Sequence, residues 1–508
     1  MDKPTDYESV LRSSNLLRGT RRKFQNLNLN RNLKYLIPAL LSLVLFSSLF
    51  VISMYNNSGN QEEKLQISPK KLLYEEKFGK AHSYEYGDIT TAGLMKNVRL
   101  NDTCGVSEPK IICNPKNPNI LAVSANDFSD NAESGCVFIS ENGGLNWQTK
   151  RVPMSLKFKR SLYSDPWLEY DSYGNLYFTA VQLDIQNKGK EGIFIARSTD
   201  DGTNWKTDFN FIDYNGKVNI YLDRPKIYID KTPGHNNSIN ISWYEINGFE
   251  SYVMFSRSTD GGNSFTPPFT IEKHDVKYNS LTGDQNGNLY IVYLKNEKRL
   301  SVKKSTDGGK FWGKEFSYLD IIPSGTKNEN QYVIKNSEKK GIRVNSEPSL
   351  CISENNDLMI TLSASGKGSD LSDIYFTKLE NNSNALTKPV KVNSDVTNND
   401  QFFPTVTSDK SGNIFIMYQD SRNDINNIIT ETYLSYSNDG GLTFTDEKLS
   451  TADFDPLSIA IDRYVSDYNS CVISGGYIVG VWTDGRNNNF DIYAGILNLK
   501  DFFENTSH

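Results

Sequence analysis

Residues 258–265 read STDGGNSF, and near-copies of this octapeptide recur along the chain. The other copies are SENGGLNW (140–147), STDDGTNW (198–205), STDGGKFW (305–312) and SNDGGLTF (437–444). The short polar side chain at the third position can hydrogen-bond its own downstream backbone, and glycine accepts the positive φ that a chain reversal needs. These third-position residues are Asn142, Asp200, Asp260, Asp307 and Asp439. Each copy therefore predicts a tight turn between two strands, with the closing aromatic residue packed beneath it.

The copies begin at residues 140, 198, 258, 305 and 437, so the first three intervals are 58, 60 and 47 residues. The last interval covers about two periods, and the string TKLENNS at 377–383 stands where a decayed copy is expected. Self-similarity at such a period is typical of propellers and solenoids. The octapeptide resembles the Asp box of the sialidase and BNR-repeat superfamily over roughly residues 100–500. This resemblance implies a β-propeller in which the boxes are structural turns on the face away from the active site.

The repeats predict an all-β domain over residues 97–500, a β-propeller of four-stranded antiparallel blades. A further unit starts at Asp462 but has neither a box nor a fourth strand. Counting it favours seven blades, and six is the alternative. The segment NVRLND (97–102) is the natural strand to complete that last blade, because a strand lent from one terminus removes exposed sheet edges.

The first part of the chain predicts a membrane anchor. Residues 1–34 carry eight Lys or Arg residues against three acidic ones, which suits a cytoplasmic tail. Residues 35–55 form a run of 21 uncharged, mostly apolar residues, long enough as a helix to span a bilayer core of about 30 Å. A cleaved signal peptide and a buried core helix are the alternatives. We expect a single-pass signal anchor, a polar stalk over 56–96, an extracellular or luminal propeller and a short tail over 501–508.

Six sequons fit this topology as candidate N-glycosylation sites: Asn56, Asn101, Asn236, Asn240, Asn381 and Asn505. Cys104 and Cys136 are expected in loops of the first blade, where an oxidising compartment would permit a disulfide. Cys113, Cys351 and Cys471 fall in apolar first-strand segments and are expected to be buried free thiols. The net charge of −6 argues against nucleic acid as a partner. With four histidines and no Cys-x-x-Cys, we expect no metal site and no cofactor.

The face opposite the boxes is expected to collect charged residues from the starts of first strands and from the loops between second and third strands. They are Asp165, Asp223, Arg224, Glu347, Asp400, Asp420, Arg422, Asp462, Arg463, Asp484 and Arg486. The sialidase resemblance implies three arginines that hold a substrate carboxylate, a tyrosine nucleophile with a glutamate base, and an aspartate acid. The candidates are Arg224, Arg422, Arg463 and Arg486 for the first role, Tyr464 or Tyr468 with Glu347 for the second, and Asp165 or Asp223 for the third.

The match to a sialidase is incomplete. No Arg-Ile-Pro or Arg-Leu-Pro precedes the first box, and the nearest string is Asp223-Arg224-Pro225 in the third unit. The Asp-x-Arg strings at 420–422 and 484–486 recur as scaffold salt bridges would, and a cation-binding ring of carboxylates is a further alternative. We therefore favour noncatalytic binding of a glycan or protein, such as a glycoprotein, on the face opposite the boxes and keep an exo-α-sialidase or related glycoside hydrolase as the alternative.

Overall fold

The computed structural model describes residues 77, 89–101, 105–128, 134–154, 161–184, 190–207, 212, 220–328, 331–337, 340–366 and 370–506. Within these ranges no helix has the length and apolar character needed to cross a membrane. The predicted tail 1–34, the predicted span 35–55, Asn56 and Cys104 lie outside the described residues. The membrane anchor and the 104–136 disulfide therefore stay predictions.

Four antiparallel sheets follow one another in the first half of the chain. Sheet A contains β3 (Val106–Cys113), β4 (Leu121–Asp127), β5 (Gly135–Ser140) and β6 (Gln148–Val152). Sheet B contains β7 (Ser161–Tyr170), β8 (Leu176–Asp184) and β9 (Lys190–Ser198). Sheet C contains β10 (Ile220–Asp230), β11 (Ser238–Asn247), β12 (Glu250–Ser258) and β13 (Phe269–Lys273). Sheet D contains β14 (Val276–Gly283), β15 (Leu289–Lys295), β16 (Arg299–Ser305) and β17 (Ser317–Asp320).

The second half adds three such sheets and a small extra one. The insertion sheet contains β18 (Thr326–Asn328), β19 (Gln331–Ser337) and β20 (Lys340–Val344). Sheet E contains β21 (Ser349–Ile352), β22 (Leu358–Ala364), β23 (Asp373–Leu379) and β24 (Val390–Lys391). Sheet F contains β25 (Gln401–Ser408), β26 (Ile414–Asp420), β27 (Glu431–Ser437) and β28 (Thr445–Lys448). Sheet G contains β29 (Ser470–Ser474), β30 (Tyr477–Asp484), β31 (Asp491–Asn498), β2 (Met95–Arg99) and β1 (Ile89–Ala92).

The first strands of successive sheets contact one another. The contacts run from β3 to β7, β10, β14, β21, β25 and β29, and β29 contacts β3 again. Hydrophobic clusters fill the space between neighbouring sheets; one of them joins Ile193 and Ile195 of sheet B to Ile239 and Trp243 of sheet C. Antiparallel sheets that follow one another in sequence, with their first strands in contact, are the architecture of a β-propeller. The predicted all-β class is confirmed, and the sheets are consistent with the predicted propeller.

Sheet G joins the two ends of the described chain. Strand β2 pairs antiparallel with β31, with Asn97 opposite Gly495 and Arg99 opposite Tyr493. The strand predicted to complete the last unit is therefore confirmed. The predicted boundary between stalk and propeller at residues 96 and 97 is wrong, because β1 and the start of β2 lie inside the proposed stalk. The proposed tail is also partly structured, since two short helices, α1 (Pro456–Ile459) and α2 (Leu499–Thr506), occur and α2 buries Phe502.

All five octapeptides form the same turn. The hydroxyl of the first-position Ser accepts a hydrogen bond from the fifth-position glycine N–H at 2.8–2.9 Å. It donates to the third-position Asp or Asn at 2.8–3.0 Å. That side chain also accepts the backbone N–H of the seventh-position residue at 2.8–3.1 Å. The predicted turns are confirmed, and the decayed copy at 377–383 likewise lies at the turn between β23 and β24.

Burial separates the predicted modification sites. Asn101 and Asn240 are buried, which disfavours a glycan on either side chain. Asn236 and Asn381 are exposed, and Asn505 lies in α2. Cys113, Cys351 and Cys471 are free thiols in first strands, as predicted, although only Cys471 is fully buried. Cys136 lies buried within β5 rather than in a loop, because its backbone pairs with Ala125 of β4.

Candidate functional site

Five of the first strands contain a β-bulge near their start. The pairing register shifts at the same place in β3, β7, β10, β14 and β25. The non-glycine residues with positive φ at these bulges are Glu108, Asp165, Arg224, Tyr278 and Phe403. A bulge re-aims a side chain, and a positive φ at such residues is a strained conformation that concentrates at functional sites. The bulges therefore identify this end of the first strands as the candidate site.

The bulges of the first strands and the octapeptide turns after the third strands lie at opposite ends of the same sheets. In sheet C, Asp223 pairs with Tyr244 at one end of β10, and Asp230 pairs with Ser238 at the other. The turn-forming Ser258 pairs with Ile239, next to Ser238. At about 3.3 Å per residue, roughly 20 Å separates the two ends. The predicted separation of the boxes from the charged face is confirmed.

Arg224 is the centre of a charged cluster at the bulged end of the first strands, which includes Asp165, Asp223, Glu347 and Asp467. Its Nη1 pairs with Oε2 of Glu347, and its Nη2 lies 2.6 Å from Oδ2 of Asp467. The guanidinium also lies 5.1 Å from the ring centroid of Tyr278. Its backbone N–H donates to the carboxylate of Asp165 at 3.4 Å. Because 10% of the Arg224 side chain is exposed, these contacts rather than water satisfy most of its donors.

Lys226 lies beside Arg224 in an aromatic corner that is formed by Trp167 and Tyr468. Its Nζ is 2.9 Å from Oε1 of Glu347, so Glu347 bridges two cations. The same ammonium lies 3.6 Å from the ring of Trp167 and 4.5 Å from that of Tyr468. The two rings meet edge to face with centroids 5.5 Å apart. Burial lowers the pKa of Lys226, and Glu347 opposes this shift.

The insertion sheet contributes a second arginine. Nε of Arg343 donates to Oδ1 of Asp467 at 2.9 Å, so Asp467 is shared between Arg343 and Arg224. The Arg343 guanidinium lies 4.7 Å from the ring centroid of Tyr464, and the hydroxyl of Tyr464 lies 2.6 Å from the Ser107 hydroxyl. The backbone N–H of Arg343 donates to the carbonyl of Arg463 at 2.8 Å. The insertion is thereby tied to the segment that precedes sheet G.

Two carboxyl groups meet beside Arg224. Burial raises the pKa of Asp223 well above its ordinary range, and the adjacent Asp165, which is hydrogen-bonded to it, raises it further. Arg224 opposes this shift with its Nε 3.7 Å from Asp223. Like charges in contact cannot both be fully ionised, so the pair titrates as a unit and holds one proton into a higher pH range. The Asp223 side chain is 23% exposed, so the pair is not fully enclosed.

Several predicted site residues lie outside this cluster. Arg422 pairs with Asp420 and with Asp446, both at 2.7 Å, and Arg486 pairs with Asp484 at 2.8 Å. Each of these arginines lies over a tyrosine of its own sheet, Tyr433 or Tyr493. The structure therefore brings together Asp165, Asp223, Arg224, Glu347, Tyr464 and Tyr468 of the predicted set.

Arg463 joins the cluster only through its carbonyl oxygen, and Asp462 is exposed. Asp400 instead accepts the backbone N–H of Leu371 at 3.0 Å. Across the described ranges, no group of three His, Cys, Asp or Glu side chains is arranged to hold a metal ion.

The cluster also contains residues that the sequence analysis missed, namely Glu108, Trp167, Lys226, Arg343 and Asp467. One signal could have found part of this set. Dipeptides of a charged or aromatic residue with proline recur at the starts of first strands, at 108–109, 165–166, 224–225, 347–348 and 403–404. Four of the five positive-φ bulge residues precede such a proline.

The sequence matches no protein-family model and no curated protein. Among solved structures, a polysaccharide lyase of family PL25, an ulvan lyase, is similar with a TM-score of 0.48 at 14% identity, covering 78% of this chain and 94% of that one. An α-L-arabinanase from Penicillium chrysogenum is similar with a TM-score of 0.43 at 13% identity, with the same coverage. A Dyadobacter fermentans protein of unknown function has a TM-score of 0.42 at 13% identity, covering 68% and 96%. At these identities and TM-scores, none of the three assigns an activity to this chain.

Proposed function

We propose that the protein cleaves glycosidic bonds by acid catalysis at the bulged end of its first strands. The Asp165–Asp223 pair is the observation that supports this proposal. A carboxylic acid that holds its proton above the ordinary pH range of an aspartate, in a partly exposed site, suits the role of a general acid. Strained backbone at both Asp165 and Arg224 adds to the case, since such strain persists where the surrounding structure holds a functional geometry.

The residues divide into two roles in this proposal. Asp223 donates its proton to the glycosidic oxygen as the bond to the sugar carbon breaks, and Asp165 sets the pKa of that proton. Glu347, which pairs with Arg224, supplies the negative charge that faces the positively charged sugar in the transition state; water then adds to the sugar carbon and returns a proton to the Asp165–Asp223 pair. Arg224 holds both Asp223 and Glu347 and therefore acts as a positioning residue.

Noncatalytic glycan binding is the second candidate, and the pairing of the arginines favours it over an exo-α-sialidase. The guanidinium groups of Arg224 and Arg343 both contact Asp467, and Arg224 also contacts Glu347. A substrate carboxylate would have to displace these internal partners. The sialidase resemblance implies three arginines that are free to bind a carboxylate, whereas Arg224, Arg422 and Arg486 are already paired with carboxylates of the protein. An exo-α-sialidase is therefore the less favoured form of the catalytic proposal.

We further propose that sheets A to G are seven blades of one ring, completed by β2. The sequence of contacts between first strands, which returns from β29 to β3, supports this count. The apolar run at 35–55 supports a single-pass anchor with the ring outside the cytosol. On that topology, the substrate would be an extracellular or luminal glycan.

The test uses the purified full-length protein in detergent with a panel of neutral and acidic polysaccharides. New reducing ends are measured for the wild type, for Asp223→Asn and for a control, Asp453→Asn, whose side chain is exposed. We expect the wild type and the control to release reducing ends and Asp223→Asn to lose at least about a hundredfold in rate. A wild type that retains polysaccharides without cleaving any of them would replace the catalytic proposal with the binding one.

A further inference from the structure

We propose that the site accepts an uncharged sugar rather than an acidic one, and that the Tyr468 hydroxyl donates a hydrogen bond to it. This inference rests on the proposed function, because it names the substrate class of the same site. It stands on three features of the cluster: its charge balance, the partners of its cations, and an unpaired buried hydroxyl.

The charge balance disfavours an anion. The four cations are Arg224, Lys226 and Arg343 of the cluster and Lys110, whose Nζ lies 4.8 Å from the Trp167 ring centroid. The five carboxyl groups are Glu108, Asp165, Asp223, Glu347 and Asp467. With one proton held by the Asp165–Asp223 pair, the carboxylates still balance the cations without any ligand. A substrate carboxylate or sulfate would add a net negative charge to a partly buried site, which is costly where the dielectric is low.

The cations are also already paired. Glu347 lies against both Arg224 and Lys226, and Asp467 lies against both Arg224 and Arg343. Each carboxylate bridge occupies the donors that would otherwise bind an acidic group in bidentate fashion. The bridges leave the Tyr468 hydroxyl as an unpaired O–H group beside the cluster. Such a group suits sugar hydroxyls, which donate and accept one hydrogen bond at a time.

Tyr468 supplies the observation that points to a ligand. Its side chain is 7% exposed, and its hydroxyl has no hydrogen-bond partner. The buried carbonyl oxygen of the Asn279 side chain is also unpaired, and the amide group of that side chain lies 3.5 Å from the carbonyl of Arg224. An unpaired buried polar group costs about 1–3 kcal/mol, so such groups usually have a partner. The unpaired donor at Tyr468 is complementary to the acceptor oxygens of a hydroxylated ligand.

The aromatic corner completes this subsite. The rings of Trp167 and Tyr468 meet edge to face beside the Lys226 ammonium and Glu347. Aromatic side chains pack against the apolar C–H face of a sugar ring, while Lys226, which is buried and paired with Glu347, holds the two rings in place. Sites of this kind combine aromatic walls with a few placed polar groups. The corner therefore binds the uncharged ring, next to the proton on Asp223.

The experiment measures binding to the full-length Asp223→Asn protein, in which turnover is blocked. The probes are cello-, xylo- and manno-oligosaccharides, with oligogalacturonate and oligosialic acid of matched length as acidic counterparts, all followed by calorimetry. We expect at least one neutral probe to bind more tightly than both acidic ones. Adding Tyr468→Phe should weaken that binding about five- to tenfold, the loss of one hydrogen bond to an uncharged group. Tyr173→Phe, at an exposed tyrosine in the turn after β7, is the matched control and should leave binding unchanged.

Melting of the unliganded proteins separates a ligand contact from a structural role. Because the Tyr468 hydroxyl is unpaired, Tyr468→Phe should melt at the same temperature or higher, whereas a structural hydroxyl would lower it. Tighter binding of an acidic probe, no binding of any neutral probe, or neutral binding that Tyr468→Phe leaves intact would each overturn the inference. If neutral probes bind through Tyr468 but the wild type cleaves none of them, the inference stands and only the catalytic proposal fails.

Discussion

The carboxyl groups of Asp165 and Asp223 share a hydrogen bond although they belong to the first strands of different sheets. Each lies at or next to a residue with positive φ, and burial favours the protonated form of Asp223. A contact between two acids does not stabilise a fold when both are ionised. Its presence at a strained, partly exposed position is consistent with the proposed role of a shared proton.

The first prediction separates function from stability at Asp223. A raised folded-state pKa contributes stability that is complete below the unfolded pKa and is lost as pH rises through the folded one. Asp223→Asn keeps a neutral group at this position, so its stability should fall less than that of the wild type as pH rises. We expect the variant to be inactive yet to melt at least as high as the wild type at alkaline pH. A variant that melts lower at every pH would mean that the ion pair with Arg224 outweighs the contact with Asp165.

Glu191 offers a second test by pH. Burial raises the pKa of this carboxyl to about 8, although the N–H of Leu222, 2.6 Å from its Oε2, lowers it in part. The same sign applies, so the wild type should lose stability between about pH 4.5 and pH 8. Glu191→Gln removes this dependence and should be more stable than the wild type at pH 8 by about 4 kcal/mol. Urea unfolding at two pH values measures the difference.

The control for this test is Glu141→Gln, at an exposed glutamate in the first octapeptide. It should unfold like the wild type at both pH values. Equal pH dependence in the wild type and Glu191→Gln would contradict the raised pKa.

The octapeptides explain why so much of the fold could be predicted. Their hydrogen bonds are local, so eight residues contain every group that makes the turn. The spacing of the copies then predicts where successive sheets lie along the chain. The same locality made Asp420 and Arg422 recognisable as a pair, since both belong to one loop. The closing strand could be predicted because the last unit lacked a fourth strand.

The cluster was harder to predict, because its contacts join distant parts of the chain. Asp467 lies 243 residues from Arg224 and 124 from Arg343, and no periodic pattern marks a residue in a loop or an insertion. Lys226 and Trp167 lie in strands. The alternation of a strand sequence predicts which face of the sheet a side chain is on, but not which residue it contacts. Bulges shift that assignment further, since one extra residue turns the following side chains to the other face.

The third prediction concerns two adjacent glycines of the last octapeptide. Gly440 and Gly441 have φ values of 77° and 87°. A methyl group on Gly441 would overlap the ring of Phe376, whereas one on Gly440 would meet only the end of Lys378 at 3.8 Å. Backbone strain should cost each alanine variant about 1–2 kcal/mol, and overlap with a core ring should cost Gly441→Ala about 1–3 kcal/mol more. Chemical denaturation should rank Gly441→Ala well below Gly440→Ala; equal stabilities would show that the ring moves aside freely.

The fourth prediction assigns the octapeptides to stability alone. The Asp260 carboxylate accepts from the Ser258 hydroxyl at 2.8 Å and from the backbone and hydroxyl of Ser264 at 2.9 and 2.6 Å. Asp260→Ala should lower the free energy of unfolding by about 1–2 kcal/mol and leave glycan binding and cleavage unchanged, because the site lies at the other end of the strands. Asp453→Ala, at an exposed residue, controls for the loss of charge. Lost binding at unchanged stability would make the turn part of a ligand site.

The last prediction tests how the ring is completed. Asn97 of β2 is fully buried; its amide group donates to the carbonyl of Leu449 at 3.1 Å, and its oxygen accepts the N–H of Thr451 at 2.7 Å. These bonds join the N-terminal strand to the segment that follows sheet F, so one side chain links sheets F and G. Asn97→Ala leaves both Leu449 and Thr451 with unpaired groups and should destabilise the protein by about 2–4 kcal/mol. Lys96→Ala, one residue earlier and exposed on the same strand, should change stability by less than about 0.5 kcal/mol. Amide hydrogen exchange should then show faster exchange in β31 for Asn97→Ala only; unchanged protection there would mean that the strand is held by its backbone pairing with β31 and not by Asn97.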